Sequence, residues 1–147
     1  MTNDNLDNAA VLQQLNKILE LELAGVIRYT HYSFMVNGFG RIPIVSWLRG
    51  QADESMLHAH EAGELITMLD GSPSLQVGDL LSAGTHDTGK ILQQSLEHEQ
   101  EAIEAYADLL SLVQGKSVML EEYASRMVSD ETRHVGDVQK MLRAPTD

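Results

Sequence analysis

Five titratable side chains stand where an amphipathic helix should be apolar. At ~100° per residue, Glu22 falls at the centre of a stripe made by Leu15, Leu19, Val26 and Tyr29. Glu99 sits likewise among Leu92, Leu96, Ala102, Ile103 and Tyr106, and Glu131 among Ala124, Val128, Val135 and Val138. His134 follows Glu131 by three positions and shares its face, while His58 lies between Trp47, Ala62 and Leu65. Glu20, Glu97, Glu101 and Glu122 point to the opposite sides of their segments, as solvated acids do. An ionised carboxylate in an apolar core is costly without a partner, so a single such residue reads most simply as a hydrogen-bonded core group. Four segments each presenting one, near their midpoints, read differently, because side by side they bring these groups to one level. Only cations neutralise three carboxylates so close together. The chain has no cysteine, so the donors are oxygen and imidazole nitrogen, a set that suits iron or manganese and also admits zinc.

The segments are set off by breaks. Asn37-Gly38-Phe39-Gly40-Arg41-Ile42-Pro43 reads as a short loop, with Pro43 at the first position of a helix. A second break runs from Gly71 to about His86, and a third is Gly115-Lys116-Ser117, with Ser117 as an N-cap. Between them lie four helical segments, roughly 8–36, 44–70, 87–114 and 118–143, each with an apolar stripe of helical period. No sustained period-two alternation predicts a strand. Such helices are roughly 40 Å long at ~1.5 Å per residue, so four in one domain must lie side by side. The short first and third loops join antiparallel neighbours. The middle connection can span roughly 50 Å at ~3.3 Å per residue, the length of the bundle. The expectation is an all-α, ferritin-like four-helix bundle with one long crossover between the second and third helices. One Glu from each of two helices, with Glu-x-x-His from each of the other two, is the di-iron carboxylate pattern of such bundles.

Composition bounds the remaining choices. The 147 residues make one domain over 1–147, and 43% of them are hydrophobic, enough to fill a core. Acidic residues outnumber basic ones 22 to 10, a formal net charge of −12. That balance argues against nucleic acid or an anionic membrane as partner and suits metal cations. Without cysteine, disulfides, zinc ribbons and thiol nucleophiles are excluded. No stretch approaches the ~20 apolar residues of a membrane span. The opening MTNDNLDNAA has neither the basic start nor the apolar run of a signal peptide, so a cytoplasmic location is expected.

The sequence resembles the bacterioferritins of the ferritin-like superfamily. The resemblance lies in Glu22-Leu23-Ala24-Gly25-Val26-Ile27-Arg28-Tyr29, and in His58-Ala59 with the helix end at Asp70-Gly71. It continues in Glu99-Gln100-Glu101-Ala102-Ile103-Glu104-Ala105-Tyr106 and Asp130-Glu131-Thr132-Arg133-His134. All four helices are covered. The resemblance implies that Glu22 and His58 are terminal ligands of one iron, Glu99 and His134 of the other, and Glu131 a bridging carboxylate. It implies a homo-oligomeric shell in which such centres bind Fe(II), oxidise it with dioxygen or peroxide, and pass Fe(III) to a cavity for storage or detoxification. Tyr29 and Tyr106, beside the site on their stripes, are expected to pack there and hydrogen-bond ligand carboxylates.

Two departures stand out. The family's second helix carries Glu-x-x-His, but the position three before His58 is Ser55, so the other bridging carboxylate is missing. Glu54, about 40° from His58 around the helix, is the candidate replacement ligand, and Glu61 lies further round. Beyond His134 the sequence runs only from Val135 to Asp147, short of the fifth helix of bacterioferritins, which admits an assembly smaller than the family's shell. Met56 occupies the position of the methionine that bacterioferritins give to a haem between paired subunits. It is therefore a candidate haem ligand, although an ordinary packing role is favoured. His31, His60, His86 and His98 lack both a stripe position and Glu-x-x-His spacing and are expected in solvent. Ferroxidase activity is the favoured function. The alternatives are a ferritin-like structural or metal-binding protein whose site is degraded at Ser55, and a di-metal oxidase acting on an organic substrate.

Overall fold

The computed structural model describes residues 5–145, so both ends of the expected 1–147 domain lie outside the described residues. Four helices form: α1 (Asn8–Met35), α2 (Arg41–Met68), α3 (Thr88–Val113) and α4 (Val118–Leu142), with no strand among the described residues. Three of them start on a side-chain cap that takes up an otherwise unpaired first-turn N–H. Asp7 accepts from Ala10 N at 3.1 Å, Asp87 from Lys90 N at 2.9 Å, and Ser117 from Leu120 N at 3.3 Å. The start of α2 differs from expectation. Gly40 is its N-cap, without a side-chain cap, and Pro43 falls third in the helix rather than first. A first-turn residue has no intrahelical acceptor for its N–H, so proline there forfeits no hydrogen bond. At the other end of α2, Asp70 turns left-handed (φ 63°) and Gly71 N donates to Ile66 O at 2.9 Å, a Schellman-type stop.

The crossover from α2 to α3 runs along α1 from Asn16 to Met35. Asn16 brackets its start, donating to Ser72 O at 3.2 Å and accepting from Ser74 N at 2.8 Å. Midway, Gly78 N donates to Glu20 O at 2.9 Å, and a Cβ at residue 78 would lie 3.2 Å from that same oxygen, so the approach needs glycine. Further on, Ala83 N donates to His31 Nε2 at 2.9 Å, and the His86 ring meets Met35 O at 2.8 Å. The chain is thereby returned to the end of α1 before α3 begins, which leaves α2 and α3 parallel and makes α1–α2 and α3–α4 antiparallel pairs.

The core is divided lengthwise. Leu15, Ile18, Leu19, Ala62, Tyr106, Leu109, Ala124 and Met127 belong to a cluster filling one end. Tyr32, Val45, Leu48 and Ile91 fill the other, beside a third cluster of Leu92, Leu96, Val135 and Val138. On every helix the interruption falls between these clusters, and the residues there are Glu22, His58, Glu99 and Glu131.

Candidate metal centre

Each helix delivers at least one donor to this interruption. Glu22 (α1), Glu99 (α3) and Glu131 (α4) are 2%, 4% and 2% exposed, and His58 (α2) is 9% exposed. His58 Nδ1 lies 2.7 Å from Glu22 Oε2 and 3.3 Å from Glu131 Oε1. On the other side, His134 Nδ1 lies 3.5 Å from Glu131 Oε2 and 4.0 Å from Glu99 Oε2. Two groups of converging donors result, Glu22–His58–Glu131 and Glu99–Glu131–His134, each with its ligand atoms within 4.8 Å of one another. Glu131 belongs to both, with one carboxylate oxygen turned to each histidine.

Two tyrosines brace the outer carboxylates. Tyr29 donates its hydroxyl to Glu99 Oε1, and Tyr106 donates to Glu22 Oε2 at 2.9 Å. Even so, Glu99 Oε2 and His134 Nδ1 are buried with no hydrogen-bond partner. Two Lewis bases facing each other at 4.0 Å, neither with a hydrogen-bond partner, would suit a cation shared between them. The donor chemistry and these unpaired atoms therefore fit a metal site.

The electrostatics show what holds so much acid together. Burial pushes Glu22 above the ordinary carboxylate range, opposed by its hydrogen bond and charge attraction to His58. Burial also pushes Glu99 well up, reinforced by Glu131 beside it. His58 would be pushed down by burial, but hydrogen bonds to Glu131 and Glu22 overcome this and raise it to about 10. The Glu131 carboxylate beside it likewise raises His134.

The Glu54 side chain is 38% exposed, with Oε1 3.3 Å from His134 Nε2 and 3.8 Å from His58 Nε2. Glu61 is paired instead with Arg126. Ser55 is buried against Gly25, where a Cβ would lie 2.8 Å from both Ser55 Oγ and His98 Nε2. Met56 is 36% exposed. His60 is exposed as expected, but His98 corrects the sequence reading, because it is 1% exposed rather than solvated. Its Nδ1 lies 3.2 Å from the Arg28 guanidinium, which also donates twice to Tyr32. Burial, aided by Arg28, pushes His98 down to about 4, so the ring is neutral. Arg28 and Tyr32 escaped the sequence reading too. An arginine and a histidine at the edge of a stripe look like solvated residues until the neighbouring helix is known.

The ferritin-like domain family model matches residues 12–145. Bacterioferritin from Mycobacterium bovis (strain ATCC BAA-935 / AF2122/97) is 28% identical over 140 residues, covering 90% of this chain and 83% of its own. Bacterioferritin from Brucella melitensis biotype 1 is 27% identical over 121 residues, covering 82% of this chain and 72% of its own. Among solved structures, a ferritin-like diiron-carboxylate protein from Bacillus anthracis superposes with a TM-score of 0.88 at 23% identity, covering 93% of this chain and 98% of that one. The bacterioferritin-related protein from Bacteroides fragilis, described as a dodecameric thioferritin, superposes with a TM-score of 0.86 at 24% identity, covering 94% and 87%. The last two likenesses speak to the fold, and the first two to the line of descent. The chain belongs to the ferritin-like domain family, as a bacterioferritin-like member.

Proposed function

We propose that this protein takes Fe(II) into the carboxylate–histidine cluster, two ions per chain, and oxidises it there for iron storage or detoxification. The observation that carries the reading is Glu131, one carboxylate shared by two donor groups with an oxygen toward each histidine. In this reading Glu22 and His58 hold one ion, Glu99 and His134 the other, and Glu131 bridges them. Iron is the substrate, and its electrons pass to dioxygen or peroxide supplied from outside. Three carboxylates in a water-poor layer favour the more highly charged product ion, while Tyr29 and Tyr106 hold two of them in place. Manganese and zinc are compatible with the same donors. Haem is not part of the proposal.

A homo-oligomer in the cytoplasm completes the reading. Ile27, Leu80 and Leu81 line one shallow hollow between α1 and the crossover, and are 44%, 52% and 55% exposed. Exposed apolar side chains gathered in this way are suited to burial against a second copy.

The test is oxygen uptake. Adding Fe(II) to metal-free protein should consume dioxygen rapidly, and Glu131→Ala should abolish the fast phase. Ser55 supports a second reading, a metal-binding protein without oxidase activity, because it puts a buried hydroxyl where a second bridging carboxylate would stand. That reading expects metal binding with little uptake of dioxygen.

A further inference from the structure

We propose that Glu54 steadies His58 and His134 from behind, its carboxylate set against the outer nitrogen of each and closest to that of His134, and does not replace the bridging carboxylate absent at Ser55. The inference rests on the metal-centre reading above. One oxygen of Glu54 lies 3.3 Å from His134 Nε2 and 3.8 Å from His58 Nε2, so a single carboxylate of α2 faces a histidine of α2 and a histidine of α4, within ion-pair reach of both. The inner nitrogens face the other way. His58 Nδ1 lies 2.7 Å from Glu22 Oε2, and His134 Nδ1 lies 3.5 Å from Glu131 Oε2.

The two nitrogens of an imidazole point to opposite sides of the ring. A carboxylate at Nε2 is therefore separated by the whole ring from an ion held at Nδ1, and does not share that ion. What it can do is fix the tautomer. With Nε2–H turned toward the Glu54 carboxylate, the Nδ1 lone pair is left free and aimed inward, an arrangement that orients a ligating histidine and raises its basicity. Glu54 suits the role for two further reasons. It stands four residues before His58 on the same helix, where side chains are neighbours. Its side chain is also 38% exposed, so its charge is held without full desolvation. Glu131 is then the one carboxylate between the two ions, and Ser55 leaves the second bridging position without a side-chain ligand.

Zn(II) tests this, being diamagnetic and not oxidised. Wild type, Glu54→Ala and Glu54→Gln would be titrated with Zn(II) while nitrogen-15 imidazole spectra follow His58 and His134. In Glu54→Ala both histidines should still take zinc at Nδ1, with affinity weakened ~10–100-fold and faster solvent exchange of Nε2–H. Glu54→Gln, whose amide oxygen still accepts, should recover part of both losses. Failure of one histidine to be metallated in Glu54→Ala would make Glu54 a direct ligand and overturn the proposal. Unchanged affinity and exchange would overturn it as well. Wild type in which neither histidine takes zinc would instead remove the metal centre itself, an outcome distinct from either.

Discussion

Burial alone would push the Glu131 carboxyl up, yet its close neighbours Glu99, His134 and His58 hold it below the ordinary carboxylate range. In the metal-free protein its negative charge is met by the proton on His58, while burial and the neighbouring Glu131 favour a proton on Glu99. A metal must displace them, so binding releases protons and affinity should rise with pH. The same protons set the stability of the metal-free fold. His58 titrates at 6.5 when unperturbed and at about 10 in the fold. Its contribution is therefore fully present below pH 6.5 and lost as the pH rises through about 10. Glu99, also raised, acts in the same direction. Thermal melts of metal-free protein should show Tm falling between pH 6.5 and about 10, and Zn(II) should remove the fall. A Tm that is flat or rises across that window would contradict the assignment. At this scale the sequence was most legible where a charge broke an apolar stripe, because the helical period fixes which way Glu22, Glu99 and Glu131 face. It was least legible at Arg28 and His98, which are buried by each other across 70 positions of chain.

The helices owe their extents to local signals that a sequence carries openly. Asp87 illustrates the energetics, since its side chain takes the N–H of Lys90 at 2.9 Å and starts the helix that carries Glu99. Asp87→Ala should cost about 1 kcal/mol of stability in denaturant unfolding, without loss of metal stoichiometry. An unchanged midpoint would mean that α3 is started by packing alone. The first residue of α2 was misplaced in the sequence because proline marks a first turn and not a particular position within it. The length of the crossover was legible, but its path was not. Chain length fixes reach, whereas the side of the bundle is fixed by contacts such as Gly78 on Glu20 and Ala83 on His31, between residues distant in sequence.

Over the whole molecule, the bundle places a charged layer between two apolar ends and leaves an apolar hollow on its outside. If that hollow is the contact between copies, Leu81→Glu should lower the assembly mass seen by sedimentation equilibrium while leaving the helical content of the chain intact. An unchanged mass would move the contact elsewhere. The four-helix architecture was readable because four stripes, three breaks and one long connection admit few arrangements. The surface between copies was not, since exposed apolar residues carry no period that names their partner. An anomalous-scattering map of crystals loaded with Fe(II) tests the charged layer most directly. Two iron peaks are expected on either side of Glu131, one beside Glu22 and His58 and the other beside Glu99 and His134. A map with no peak inside the bundle, or with a single peak that leaves one histidine without metal, would contradict it.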